Sequence, residues 1–531
     1  MPTTTSTITT NETTGVAAST RAATPEPAWS PFADRLLVVA AILATAGGVF
    51  VRLWHLNTVG FNSDETVYAG QAASIAGNVA LKPFFPIFRA HPMLFQTLLS
   101  TAYHGSASDL VARLFAAAAG VLTVVVVYAL GKLLYGRRAG LIAALLMALM
   151  PYHVIVSRQM LLDGPLTLFA TLTIYLIARF VISGRRTWLY AAGGALGLTF
   201  LSKEVGLIFV GAGYAFFALS PKIRPRWRDF GVALVVMAAV VSPYPLSMVF
   251  AGRTHTGGQY LTWQLFRRPN HSVTFYATHV PQAIGPAVLV LAVAGLWLLR
   301  RHKSWRETLL LSFVGVPIVF FALWPVKGFQ YLLPTAAPLA ILAGRTLAGW
   351  VPDRSADAPK RRRQGSVAVL MTVVVLATLA VPSWHRIHPT RSGAVLAGSG
   401  GVPGGREAGR WIADTVPKGA ELMTLGPSMA NIIEFYGHRR AYGLSVSPNP
   451  LHRNPSYSAL SNPDLAIRNN DLQYIVWDSF SASRSTFFAE KLLEFVHKYN
   501  GRAVHTETVM ATGPDGRRVA KPVITIYEVR P

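Results

Sequence analysis

The chain has no cysteine, so it can form no disulfide and offers no thiolate for catalysis or metal binding. It is also poor in charge: 14% of its 531 residues are charged against 52% hydrophobic, and the mean hydropathy is +0.38. That balance excludes an ordinary soluble globular protein, in which about a quarter of residues are charged. Acids are scarcest of all. From Arg35 to Trp350 there are seven, at Asp64, Glu65, Asp109, Asp163, Glu204, Asp229 and Glu307. No glycine-rich phosphate loop of the nucleotide-binding kind occurs, which argues against a cytosolic sugar nucleotide or ATP as substrate.

What is present is apolar sequence in blocks of roughly 17–25 residues, the length that crosses about 30 Å of hydrocarbon. The blocks predict spans at 36–56, 110–131, 139–157, 165–182, 187–202, 205–220, 230–250, 283–299, 308–324, 331–348 and 366–382. The chain reads as a polytopic α-helical membrane protein with about eleven transmembrane helices. Ala44-Thr45-Ala46 mimics a signal-peptide cleavage site, but the apolar run continues to Leu56, which favours an uncleaved anchor.

Formal net charge is +25, of which residues 383–531 carry only +5. The rest lies in the N-terminal tail and the membrane part, mostly between the apolar blocks, so nucleic acid is not implied. One alternate set of connections, with Arg137, Arg138, Arg185, Arg186 and Arg361 among its members, holds 20 Lys and Arg against 8 in the other. The positive-inside rule makes the first set cytoplasmic, which places the N-terminus in the cytoplasm and the C-terminal part outside, the expected location being a bacterial plasma membrane.

Residues 1–34, rich in Thr, Ser, Ala and Pro, read as a disordered tail. A membrane domain follows over 35–384, with long outer loops at 57–109 and 251–282, then a linker at 385–404 and an extracytoplasmic α/β domain at 405–531. In the second loop, Tyr260, Trp263 and Phe266 stand beside Arg267 and Arg268, a composition suited to an interfacial helix.

Asp64 and Glu65 follow the first span, and two readings compete. Ser63 or Asp64 can cap a short helix through Ala72 and Ile75, or a carboxylate beside apolar walls can act as a general base. Asp163 stands at the head of the fourth span on the same side, five residues after Arg158, which is expected as its counter-ion or as a hydrogen-bond donor to a phosphate. Lys203 and Glu204 interrupt apolar sequence, where charge demands pairing or hydration, and pairing with each other is the simple expectation. Arg52 and Arg113 either snorkel or contact a ligand, and with His91, Arg267 and Lys327 they make the outer surface rich in anion contacts. His385 and His388 have metal-ligand spacing but no third ligand, so no metal site is assigned.

Taken in order, these pieces resemble the GT-C superfamily of membrane glycosyltransferases, in particular protein O-mannosyltransferases and the lipid A aminoarabinose transferase. The resemblance covers about residues 45–345. It rests on Arg52-Leu53-Trp54, Asp64-Glu65 with Tyr68, His91-Pro92, Ser157-Arg158, Asp163-Gly164-Pro165, Leu201 to Glu204 and Tyr331 to Pro334. It implies inverting transfer of a sugar from a polyprenyl-phosphate carrier to an outer-face acceptor, whether protein, glycolipid or cell-wall glycan. Asp64, Glu65 and Asp163 would form the catalytic group, with Arg52, Tyr68, His91, Arg158, Lys203, Glu204, Lys327 and Tyr331 binding substrate or phosphate.

No cofactor is implied, a divalent cation being the one addition left open. The chain departs from the aminoarabinose branch at His91, where that branch has Lys, and Gln330 stands where some relatives are basic, which moves the expected phosphate contact to Lys327. The competing classes are a lipid-linked-sugar flippase, which would need mid-membrane ionisable groups, and a membrane scaffold acting through the external domain.

Overall fold

The computed structural model describes residues 30–87, 91–103, 106–298, 304–349, 358–387, 402–454, 457–512 and 517–531. Most of the expected tail, most of the expected linker and His388 lie outside the described residues.

Among the described residues, seven helices are long and apolar enough to cross a membrane: Pro31–Leu53, Asp109–Tyr135, Asp163–Ser183, Trp227–Phe250, Trp305–Leu323, Phe329–Gly349 and Gly365–Ile387. Counting two bent pairs as one span each gives up to nine. These pairs are Arg137–Leu149 with Pro151–Ser157, bent by 59°, and Phe275–Ile284 with Pro286–Leu298, bent by 92°. In both, a proline opens the second half, since it lacks the amide hydrogen and disfavours helical backbone just before it. The other two expected spans are shorter helices, Arg186–Ser202 and Glu204–Ala218, parted where Lys203 is extended at φ −163° and ψ 138°.

The basic end of the bundle is tied by Arg138 to Asp34 at 2.8 Å and Arg345 to Glu307 at 2.6 Å, with the Tyr135 hydroxyl donating to Glu307 at 2.8 Å. The other end carries the short helices Ser63–Ile75 and Thr254–Leu265 and the α/β domain. Asn62 caps the helix Ser63–Ile75. Its side chain accepts from the Glu65 amide at 3.0 Å, and Glu65 accepts from the Asn62 amide at 3.1 Å. The cap thus falls one residue before Ser63 and two before Asp64, because Asn62 is the residue with a Glu three positions on to close a capping box.

The α/β domain has five strands, β1 (Leu422–Thr424), β2 (Ala441–Gly443), β3 (Tyr474–Asp478), β4 (Arg502–Thr512) and β5 (Arg518–Glu528), in the order β2-β1-β3-β5-β4. β1 pairs in parallel with β2 and β3, and β5 is antiparallel to β3 and β4. β2 is Ala-Tyr-Gly, too short for any alternation to show in sequence.

The domain is seated on the bundle through the helix Pro427–Tyr436. Phe435 meets Phe61 and Phe85 edge-on at 5.4 and 6.0 Å. Gly60 permits the approach, since a Cβ there would fall 2.5 Å from the Arg406 Cβ. Gly70 does the same one layer in, beneath the ring of Phe85.

Candidate active site

Burying a carboxylate without a partner is costly, so each acid of the membrane part can be asked what it pairs with. Glu65 is fully buried and takes two bonds from Arg113, Nε to Oε1 at 2.9 Å and Nη2 to Oε2 at 2.8 Å, plus the Met160 amide at 3.1 Å. Arg113 spends its remaining donors on the carbonyls of Leu56, Val59 and Gly60 at 2.9, 2.6 and 3.0 Å. This is a closed corner that fixes the loop after the first span. Both fork geometries are satisfied, which leaves Glu65 no lone pair aimed at a substrate.

Asp163, 2% exposed, holds the Lys203 ammonium with both oxygens at 3.0 Å. The partner expected from spacing, Arg158, instead donates to the Val51 carbonyl at 2.6 Å. Lys203 and Glu204 do not pair with each other. The extended backbone at Lys203 separates them, and Glu204 meets His91 Nδ1 at 2.7 Å and the Tyr260 hydroxyl at 3.4 Å. Asp109 accepts from the Tyr436 hydroxyl at 2.5 Å and lies 3.5 Å from Arg406. Asp229 accepts from Tyr190 at 2.9 Å.

Of the seven acids from Arg35 to Trp350, Asp64 alone has no side-chain hydrogen bond or ion pair among the described residues. Its neighbour Glu65 completes the capping box, so the Asp64 carboxylate in the first turn is left over. It is exposed to water, yet protein surrounds it closely, as befits a side chain inside a recess. Desolvation raises its pKa above the ordinary carboxylate range. Lys203, His91 and Arg267 oppose that rise and Asp163 adds to it. A carboxylate that is both unpartnered and surrounded by cations is suited to receive a proton from a hydroxyl beside an anionic group.

Around it, Tyr68 meets His91 edge-on at 5.8 Å and Tyr260 meets the other side at 5.4 Å. Lys203 Nζ lies 4.5 Å from the centre of the Tyr331 ring. Asp64, Tyr68, His91, Asp163, Lys203, Glu204 and Tyr331 are therefore one cluster built from five stretches of chain.

Besides Glu65, three of the sequence candidates are held elsewhere. Arg52, 2% exposed, is anchored within the bundle by the carbonyls of Gly48 and Ala148, both at 2.7 Å, and by His153 at 2.7 Å. Lys327 donates to the carbonyls of Phe321, Ala322 and Trp324 at 3.3, 3.0 and 3.0 Å, capping the helix Trp305–Leu323. Arg158 is the third, on the Val51 carbonyl. An ammonium closing a helix C-terminus is stabilised there by the dipole and exposed carbonyls, which accounts for Lys327 without a phosphate.

Sequence reading missed Tyr260 as a site residue. It lies on the helix Thr254–Leu265, expected to rest in the interface, but is itself only 3% exposed because it turns inward to His91 and Glu204. Leu265 and Phe266 do remain exposed. Nothing in its spacing singles it out. Arg484, from the α/β domain, was missed as well. It faces Asp64 electrostatically across the seam, and its guanidinium is stacked 4.1 Å from the centre of the Phe480 ring. Among the described residues, no group of three or more His, Cys, Asp or Glu could hold a metal ion.

Bundle, capping α/β domain and a carboxylate recess at their junction together give the architecture of a polytopic helical membrane protein with a folded domain at one end. The dolichyl-phosphate-mannose-protein mannosyltransferase family matches residues 90–247, the segment that holds His91, Arg158, Asp163, Lys203 and Glu204. The undecaprenyl phosphate-alpha-4-amino-4-deoxy-L-arabinose arabinosyl transferase of Pectobacterium carotovorum subsp. carotovorum (strain PC1) is 27% identical over 298 residues, 52% of this chain and 53% of that one. YkcB of Bacillus subtilis (strain 168) is 32% identical over 133 residues, 24% of this chain and 19% of that one. The chain thus aligns with about half or less of the length of these curated relatives.

The crystal structure of ArnT from Cupriavidus metallidurans in the apo state superposes with a TM-score of 0.65 at 15% identity, over 91% of this chain and 97% of that one. The same protein bound to undecaprenyl phosphate gives 0.62. The GT-C fold expected from the motifs is therefore present over nearly the whole chain, α/β domain included.

Proposed function

We propose that the chain is an inverting glycosyltransferase that moves a sugar from a polyprenyl-phosphate carrier to an acceptor hydroxyl at the end of the bundle covered by the α/β domain. The observation that carries this reading is Asp64, the one acid between Arg35 and Trp350 with no hydrogen-bond or ion-pair partner for its side chain among the described residues, set among Lys203, His91 and Arg267. In the step we assign, the acceptor O–H gives its proton to Asp64 as its oxygen attacks the anomeric carbon. The bond from that carbon to the phosphate oxygen breaks, its electron pair stays on the oxygen, and the polyprenyl phosphate departs.

Arg267, which lies near enough to the cluster to act on Asp64, has no acid partner among the described residues. It accordingly faces the leaving phosphate, held over the Trp263 ring at 4.4 Å and by Gln264 at 3.2 Å. Asp163 and Glu204 serve by orienting Lys203 and His91, and Glu65 by fixing the loop. The ArnT structure with undecaprenyl phosphate supports a lipid-phosphate donor on this fold. The acceptor is a hydroxyl-bearing protein, glycolipid or cell-wall glycan.

Incubation of the purified protein with a panel of polyprenyl-phosphate sugars tests the reading: transfer or donor hydrolysis by the wild type and its loss in Asp64→Asn is the expected result. Wild-type turnover in Asp64→Asn refutes the role of Asp64, and no turnover with any donor refutes the activity. The basic connections put the N-terminus in the cytoplasm and the α/β domain outside. As the chain has no native cysteine, single cysteines at exposed Glu490 and Arg185 read this directly with an impermeant maleimide, and labelling of Arg185→Cys alone from outside intact cells reverses the orientation.

A further inference from the structure

The loop that delivers Asp64 is gripped from two sides. From the membrane domain, Arg113 holds the carbonyls of residues 56, 59 and 60, and Gln159 Oε1 accepts from Asn62 Nδ2 at 2.9 Å. From the α/β domain, Arg406 donates to the carbonyls of Asn57 and Thr58 at 3.1 and 3.2 Å. Tyr436 accepts from the Phe61 amide at 2.8 Å while donating to Asp109. The last grip before Asp64 is Asn431, 2% exposed, whose Nδ2 donates to the Ser63 hydroxyl at 2.9 Å.

We infer that Asn431 of the α/β domain is a positioning residue for Asp64, so that the site is complete only when this domain is seated on the bundle. Ser63 is the first residue of its helix, one peptide unit before Asp64. The Asp64 side chain itself has no hydrogen bond or ion pair among the described residues. Its placement is thus set by the backbone at residues 61–63 and by the neighbours that fix that backbone. The membrane domain supplies the bond at Asn62, and the α/β domain supplies those at Phe61 and Ser63 on either side. Misplacing a reacting group by about 1 Å can cost on the order of 100-fold in rate. The proposal rests on Asp64 being the base, as proposed above.

The test uses the full-length protein and three variants. Asn431→Leu keeps the size and removes the donor, Asn431→Gln keeps an amide, and Arg440→Ala weakens the same seam away from the loop, where Arg440 lies 5.3 Å from the centre of the Phe84 ring. Asn431→Leu should lower kcat about 10- to 100-fold with KM for the donor within about twofold, and Asn431→Gln should recover part of it. Hydrogen exchange supplies a readout that does not depend on turnover: amides 61–68 should exchange faster in Asn431→Leu and unchanged in Arg440→Ala. Unaltered exchange in Asn431→Leu overturns the inference, as does a kcat loss equal in Asn431→Leu and Arg440→Ala that follows their melting temperatures. A wild type inactive on every donor, with the exchange pattern as expected, removes the base assignment and leaves the positioning standing.

Discussion

Two regions lie side by side at the start of one helix and differ in nearly every physical respect. At Glu65 the carboxylate is dry, fully paired and joined to a guanidinium that itself holds three carbonyls. At Asp64 the carboxylate is wet and unpaired, and of the cations near it Lys203 and His91 already hold acids of their own. The lesson is that a buried ion pair and a reactive carboxylate make opposite demands. The first needs every lone pair satisfied, while the second needs at least one left open in a place where water and ligand can come. Adjacent residues meet both demands because successive helical positions point about 100° apart.

That contrast can be broken by experiment. The largest effect is expected at the open carboxylate, where Asp64→Asn should lower kcat by about 10²- to 10⁴-fold, the range of a lost general base, with the melting temperature held. A matching fall in melting temperature would make Asp64 structural. The reverse signature is expected at the closed corner: Glu65→Gln strands the Arg113 charge and should destabilise by about 3–5 kcal/mol, read as a lower melting temperature in detergent. If Glu65→Gln melts like the wild type but has lost turnover, the two roles must be exchanged. A smaller loss, about 1–2 kcal/mol, is expected from Lys327→Met, which uncaps three carbonyls, with donor KM unchanged. A KM rise of tenfold or more would return Lys327 to the phosphate site.

The smallest effect concerns pH. Desolvation raises the Asp64 pKa, and a base works only when deprotonated, so kcat/KM should climb with pH through a value above the free Asp pKa of about 3.9. Activity is lost as pH falls through the raised value. An acid limb at or below about 3.9 would show that the desolvation is already offset by the cations.

Much of the fold was legible because hydrocarbon is an undemanding solvent to read. Apolar runs of spanning length at 110–131, 165–182 and 308–324 match helices described at Asp109–Tyr135, Asp163–Ser183 and Trp305–Leu323. Two weaker runs became shorter helices, since residues 187–218 carry Lys203 and Glu204 in their middle and the chain breaks there to let each side chain find a separate partner. In the α/β domain the alternating strands were visible, but β2 and the strand order were not, because register and order depend on which faces meet.

The site divides along the same line. Sequence alone determined that carboxylates in this chain are few and that Asp64, Asp163 and Glu204 stand at breaks in apolar sequence, since charge is costly in hydrocarbon and collects where chain leaves it. Which cation each acid would take was decided only by tertiary structure. Arg158 is nearer to Asp163 in sequence than Lys203 is, yet the bundle carries Lys203 to it and leaves Arg158 on a carbonyl. Pairing in three dimensions follows the packing of helices rather than spacing along the chain. For that reason only the folded molecule could show that, of the acids between Arg35 and Trp350, Asp64 is the one left without a partner among the described residues.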